Sequence, residues 1–246
     1  MVNSFRFLFF ILTFLLSRNI LSAPDLTGIW QLTRGIPNIS ERFYSQRELT
    51  KEGHRRIDVF NIFEDDLNPL CIPSGVGRLW DEPDTAWRVD QYEDRVEIYY
   101  EMFDVHRIIK LNQNSHPLEF TPSARNLDGV FMPTIGHSIG WYDGDVLVIE
   151  TLGFTEGIVS TEARGGGSLE TTISDTGAVR SNKSMWVPQS EAMRSLEKIY
   201  RDANFMAVDI LYFDPITMLT PQEVRYRYSP SSFNFSIYGC VSEEAG

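Results

Sequence analysis

The sequence predicts an all-β fold, a single antiparallel up-and-down lipocalin-like β-barrel with one short helix near the N-terminus. Three observations predict it. Apolar, β-branched runs of strand length recur at hairpin spacing, with none of the strand–helix alternation that builds a parallel sheet. Asp143-Gly144 lies between two such runs, and Asp-Gly favours a type I′ hairpin turn because both central residues need positive φ. The runs sum to about nine or ten strands, and a sheet of that size must close or split into two to hide its edges.

Composition narrows the function classes. The chain has 246 residues, 42% hydrophobic and 23% charged, enough for one sizeable core. Aromatic residues make up 13%, which suits strands and a ring-lined cavity. A net charge of −12 repels phosphate backbones and argues against a nucleic-acid partner.

The N-terminus reads as a targeting segment. Arg6 precedes the apolar run Phe7 to Leu16, and Ala23 offers a small residue for cleavage. Residues 1–23 are therefore expected to be a signal peptide, leaving 24–246 as one barrel domain in a secreted or periplasmic protein. Leu21 is large for a cleavage site and Pro24 follows directly, so a retained anchor is the alternative. Cys71 and Cys240 are the two cysteines, and in an exported chain an isolated pair most simply forms a disulfide. No other apolar run is long enough to cross a bilayer, so no membrane span is expected after cleavage.

Taken in order, Gly28-Ile29-Trp30 opens a first strand, as at the head of lipocalin-like barrels. Ser45-Gln46-Arg47-Glu48 is a capping box for a helix starting near Glu52, with Leu49, Ile57, Phe60 and Phe63 on one face. Residues 65–78 read as a Pro/Gly-rich loop. Trp87 to Tyr92, Arg95 to Glu101 and Asp104 to Leu111 follow as strands. Val96, Ile98 and Tyr100 share a face with Val105, Ile109 and Leu111, and Arg107 is the one charge of that parity. Arg95, Glu97, Tyr99, Glu101, His106 and Lys110 form the other face, either solvent-facing or a polar cavity wall. After a loop over 112–133 comes the central hairpin. Residues 155–187, polar and Gly-rich, read as a surface loop or a lid. Ala192 to Arg201, Phe205 to Phe213, Glu223 to Tyr228 and Phe235 to Val241 complete the strands. Helix competes for Ser190 to Arg201, but a second strand at hairpin distance favours strand.

Several of these segments resemble a family of exported bacterial proteins of largely unassigned function. They are Leu26 to Trp30, Leu49 to Gly53, Asp66 to Arg78 with Cys71 to Gly75, Val96 to Ile108, His116-Pro117, Gly136 to Gly140 with Gly144 to Thr151, Ser190 to Ala192 with Glu197, Asp214-Pro215, and Tyr238 to Cys240. The resemblance spans most of the chain beyond the leader and implies a calycin-like barrel. The chain departs from the family pattern at Trp141-Tyr142-Asp143 and in a longer Gly-rich insert before Ser190.

The candidate catalytic residues are His137, Glu150 and Glu101, and the candidate ligand-binding residues are Arg107, Tyr99, His106 and Trp141. Arg107 and Glu150 each place a charge in an apolar strand, and a buried charge must be paired or hydrogen-bonded. They are expected to meet inside the barrel, as a structural ion pair or as a ligand anchor. Imidazole titrates near neutrality, so His137 is either a hydrogen-bonded structural histidine or an acid–base group. The four histidines have no metal-ligand spacing, and no nucleotide-binding or nucleophile-elbow motif is present, so neither metal nor cofactor is expected. Two functions remain, beside a third reading as a purely structural envelope protein. One is a binding barrel for a hydrophobic or aromatic small molecule. The other is a cofactor-free acid–base enzyme, an isomerase, hydratase, lyase or cyclase, acting on such a molecule in the barrel cavity.

Overall fold

The computed structural model describes residues 23–33, 42–44, 48–60, 65, 67–81, 85–160, 172–173, 179–180 and 186–241. The expected leader, the Ser45-Gln46-Arg47 part of the capping box, Phe63 and most of the Gly-rich excursion lie outside the described residues.

The strands are β1 (Gly28–Leu32), β2 (Arg42–Tyr44), β3 (Ala86–Gln91), β4 (Arg95–Tyr100), β5 (Val105–Leu111), β6 (Ala124–Arg125), β7 (His137–Asp143), β8 (Val146–Leu152), β9 (Gly157–Ser160), β10 (Thr172–Ile173), β11 (Val179–Arg180), β12 (Trp186–Gln189), β13 (Arg194–Asp202), β14 (Phe205–Phe213) and β15 (Gln222–Pro230). Helices α1 (Lys51–Val59) and α2 (Val76–Trp80) precede β3. Nine strands close into a barrel in the order β1-β3-β4-β5-β7-β8-β13-β14-β15, sealed by β15 against β1. β2 extends the β1 edge of β15, and β6 pairs with β5. The segment read with helix as competitor is strand β13, paired along its full length with β14.

Alternation decides what faces inward. Met206, Val208, Ile210 and Tyr212 of β14 are buried, and so are Val224, Tyr226 and Tyr228 of β15. On β4 and β5, Val96, Ile98, Tyr100, Val105, Arg107, Ile109 and Leu111 are all buried, as their parity required.

The barrel is not antiparallel throughout. β5 and β7 run parallel, with Lys110 opposite Ile139 and Leu111 opposite Gly140. Residues 112–136 carry the chain back along the barrel, and β6 pairs with the start of β5 on the way. A parallel neighbour needs such a crossover, whereas a hairpin needs only a tight turn. The neighbour-to-neighbour up-and-down expectation therefore fails at this seam. The hairpin turn also shifts by one residue. Asp143 pairs with Val146, so Gly144-Asp145 is the loop, and only Gly144 has positive φ, at 63°.

Two helix expectations change as well. Thr50, not the capping box, caps α1. Its hydroxyl accepts the Gly53 N–H at 3.0 Å and donates to the Ile216 carbonyl at 2.6 Å. A Cβ on Gly53 would stand 2.3 Å from the Thr217 carbonyl oxygen, so the residue that weakens the helix lets it dock. α2 lies where a loop was expected, because five residues are too few for a readable helical period. Its buried Val76, Leu79 and Trp80 fill one part of the interior. The Trp87 indole donates to the Leu79 carbonyl, and the Tyr228 hydroxyl to that of Trp80. Trp80 also packs edge-on against Tyr100, with ring centroids 5.3 Å apart.

Residues 235–241, expected as a strand, join no ladder. They form a strap across the outer wall. The Asp104 carboxylate accepts the backbone N–H groups of Tyr238, Gly239 and Cys240, and Glu101 accepts that of Ser236. The expected disulfide joins Cys71 to Cys240, with a Cα–Cα distance of 5.9 Å. It links the segment before α2 to the strap and fits an oxidising compartment. No helix among the described residues is long and apolar enough to cross a membrane.

The loop closed by this disulfide spans 169 residues. Chain entropy then predicts that Cys71→Ala/Cys240→Ala lowers stability by about 4–5 kcal/mol. Urea denaturation of the oxidised wild type beside the double variant checks it.

Candidate functional site

Inside the barrel the governing group is Arg107, which has no exposed surface. Its partner is Glu197 on β13, not Glu150. Nη1 and Nη2 donate to Oε2 and Oε1 of Glu197 at 2.9 and 2.6 Å, a bidentate pair. Nη2 also donates to Ser138 Oγ and Thr151 Oγ1, and the Trp80 indole donates to Glu197. Burial opposes the charge on Arg107, yet the Glu197 carboxylate raises its pKa above the ordinary value. Glu150 lies one residue out of phase with the inward Ile149 and Thr151, so its side chain leaves the barrel. The two charges expected to meet inside are separated by that single step of parity.

Arg107 touches one end of a polar row. Ser138 pairs with Thr151, Thr151 with Ser195, Ser195 with Tyr212, and Tyr212 with Gln222, directly opposite one another across β7, β8, β13, β14 and β15. All five are buried. Ser195 Oγ and Gln222 Oε1 have no hydrogen-bond partner among the described residues. Buried polar atoms in that condition point to water or a small ligand between them.

Tyr99 and His106 lie on the outer wall. Their rings stack at 4.1 Å, and both donate to Glu97, the Tyr99 hydroxyl at 2.6 Å and His106 Nε2 at 3.0 Å. The Arg88 guanidinium lies 3.9 Å from the Tyr99 ring centroid. Burial and the adjacent Glu97 push the Tyr99 hydroxyl up to about 12. Burial also works to raise Glu97, but hydrogen bonds from Tyr99, Arg95 and His106 hold it below the usual carboxylate value. The group is already satisfied internally, which suits a brace better than a ligand contact. Glu101 accepts from the Ala86 N–H, the Ser236 N–H and the Ser236 hydroxyl, so it anchors the strap and is not near His137. Trp141 shares the outer face of β7 with His137, four residues further along.

His137 and Glu150 do converge, through a residue not among the candidates. His116, in the crossover loop, places its Nδ1 2.8 Å from His137 Nδ1. Its Nε2 faces Glu150 Oε2 at 3.6 Å, and Arg194 holds Glu150 Oε1 at 2.6 Å. At 3.6 Å the His116–Glu150 contact is electrostatic, too long for a formed hydrogen bond. Phe120 lies over the two imidazoles, at 6.0 and 6.2 Å between centroids. A Cβ on Gly153 would sit 2.4 Å from that ring, so glycine lets Phe120 settle there.

The tautomers follow from this geometry. One Nδ1 must carry the shared proton. If His116 carried it, its Nε2 lone pair would face the Glu150 carboxylate. The favoured arrangement puts hydrogen on His116 Nε2, toward Glu150, and on His137 Nδ1, toward His116. That leaves the His137 Nε2 lone pair open, with no partner among the described residues. Burial lowers the pKa of both histidines. The Glu150 charge opposes the shift at His116, while His116 and Lys110 reinforce it at His137. A carboxylate, a bridging imidazole and an open basic nitrogen thus lie in line, an arrangement that can orient and stabilise a protonated His137.

Comparison of the chain with protein-family models, with curated proteins and with solved structures returned no match. Among the described residues no group of three His, Cys, Asp or Glu side chains is placed to hold a metal.

Two outcomes are expected. Arg107→Met or Glu197→Gln alone should lower stability by about 3–5 kcal/mol, because each strands a buried charge or donor. Arg107→Met combined with Glu197→Gln should lower it by clearly less than the sum. Glu150→Gln, paired at the surface, should change stability by no more than about 1 kcal/mol. Urea denaturation of the four variants measures all of this.

The second outcome concerns pH. His116 and His137 have folded-state pKa values below the unfolded one. Their contribution to stability is therefore complete above the unfolded value of about 6.5 and is lost as pH falls through the folded values. NMR titration should find both imidazoles neutral at pH about 6.5, and denaturation midpoints should fall below that pH.

Proposed function

We propose that the protein is an exported, lipocalin-like barrel that catalyses proton transfer on a small molecule without a cofactor, with His137 Nε2 as the acid–base group. The carrying observation is the relay from Glu150 through His116 to His137, which leaves one lone pair open beside Phe120. The signal-like N-terminus and the Cys71–Cys240 disulfide support the exported setting.

The chemistry balances within these residues. His137 Nε2 takes a proton from the substrate, and the imidazolium that forms is stabilised through His116 by Glu150. The proton then returns to a different atom of the substrate, which is an isomerisation, or to a leaving group, which is an elimination. An apolar substrate body suits the wall here, because Phe120 and Leu118 are both exposed. The reaction is assigned to the outer wall because the interior next to Arg107 is occupied by Trp80, Tyr100 and Glu197.

A second reading, a binding barrel, is supported by the unpartnered Ser195 Oγ and Gln222 Oε1. Its ligand would carry a polar group toward these atoms and would not be purely hydrophobic.

Deuterium uptake separates the readings. The protein, incubated in heavy water with a small-molecule extract, should speed exchange or isomerisation of a compound seen by mass spectrometry. His137→Ala should slow it by ~10²–10⁴-fold. Equal exchange by wild type and His137→Ala, with a small molecule retained by both in native mass spectrometry, would leave the binding reading in place.

A further inference from the structure

Between the barrel wall and residues 231–236 lies a separate, solvent-open cleft of about 640 Å³. Gln31, Thr33, Glu101, Ser231, Phe233 and Asn234 are among its lining residues. Among the described residues the lining includes no lysine, arginine or histidine and one carboxylate. Most of the other side chains are hydroxyls and carboxamides.

We propose that this cleft binds a neutral polyhydroxylated ligand, a mono- or disaccharide. Each feature of the lining selects that class. An anionic ligand would meet Glu101 and, among the described lining residues, no cation, in a chain of net charge −12. An apolar ligand would bury hydroxyls and amides without replacing their bonds to water. A sugar offers donors and acceptors on its rim and an apolar C–H face.

The groups present match both parts. The Glu101 carboxylate is held from behind by Ala86 and Ser236. Gln31 accepts the Ser231 hydroxyl at 3.0 Å through Oε1, so its amide N–H₂ is aimed by that bond and has no partner of its own among the described residues. The Asn234 carboxamide likewise has none. Between them, the Ser231 hydroxyl accepts the Phe233 N–H at 3.0 Å and fixes the turn that presents the ring. That ring is 70% exposed, a large apolar plane at the lip of a polar cleft, where a sugar C–H face can stack. The cleft is half open, which fits weak, reversible binding rather than burial of a ligand.

Saturation-transfer NMR on the intact oxidised protein tests this with glucose, galactose, N-acetylglucosamine and maltose, beside glucuronate and an anilinonaphthalene dye. Transfer from aromatic protons to at least one neutral sugar is expected, with glucuronate weaker. Phe233→Ala and Asn234→Ala, both surface changes, should each weaken that sugar at least tenfold while His137-dependent exchange continues. Absence of transfer to any neutral sugar at about 10 mM, a concentration that would load sites of millimolar Kd, overturns the proposal. So does sugar binding that survives both substitutions, or occupation of the cleft by the dye alone.

Discussion

A guanidinium with no exposed surface has to bring its counter-charge with it. In this barrel Arg107 does so from β5 to β13, across β7 and β8. The bidentate bond to Glu197 fixes which residues of four strands point inward, because a one-residue slip of any strand would turn its partner outward. Ser138, Thr151 and Tyr100 accept the remaining Arg107 donors, and the Trp80 indole donates to Glu197. The pair thereby sets the polar row, the seat of α2 and the aromatic packing around Trp80 together. Two desolvated charges are a weak source of stability, but they penalise alternative registers strongly.

The same constraint sends the His137–His116–Glu150 cluster outward. Parity that puts Thr151 on Arg107 puts Glu150 outside. Parallel pairing of β7 with β5 requires a crossover, and that crossover carries His116 to the outer face of β7 and β8. A uniformly antiparallel barrel would have a short turn there and no residue to join His137 to Glu150. The relay is thus a product of the one junction at which the up-and-down expectation fails.

The sequence carried more of the barrel than of the site. Strand alternation identified the inward faces of β4 and β5 and placed Arg107 among them, since period two leaves little ambiguity in a half-buried strand. The disulfide was legible from a cysteine count of two. The partner of Arg107 was not. Glu197 sits in a segment of strong helical propensity, SEAMRSLEKIYR, where periodicity gives no clear face, while Glu150 stands beside the most apolar run. That Glu101 holds the strap and that Tyr99 and His106 share Glu97 was not legible, because a carboxylate on an outer face carries no mark of whether it serves a strap, a brace or a ligand. His116 was visible only as His-Pro in a loop, and loop residues reach a site through a path that local pattern does not encode. That His137 and Glu150 lie on adjacent strands was legible because both belong to the central hairpin, whose register Gly144 fixes within one residue.

The central claim is that Glu150 and His116 set the protonation of His137. Long-range ¹⁵N correlation of the imidazoles reads this directly, at a pH above about 6.5 where both rings are neutral. The account predicts hydrogen on His116 Nε2 and on His137 Nδ1, with His137 Nε2 bare, and loss of that preference in Glu150→Gln. A His137 ring protonated at Nε2, or tautomers indifferent to Glu150, would contradict it.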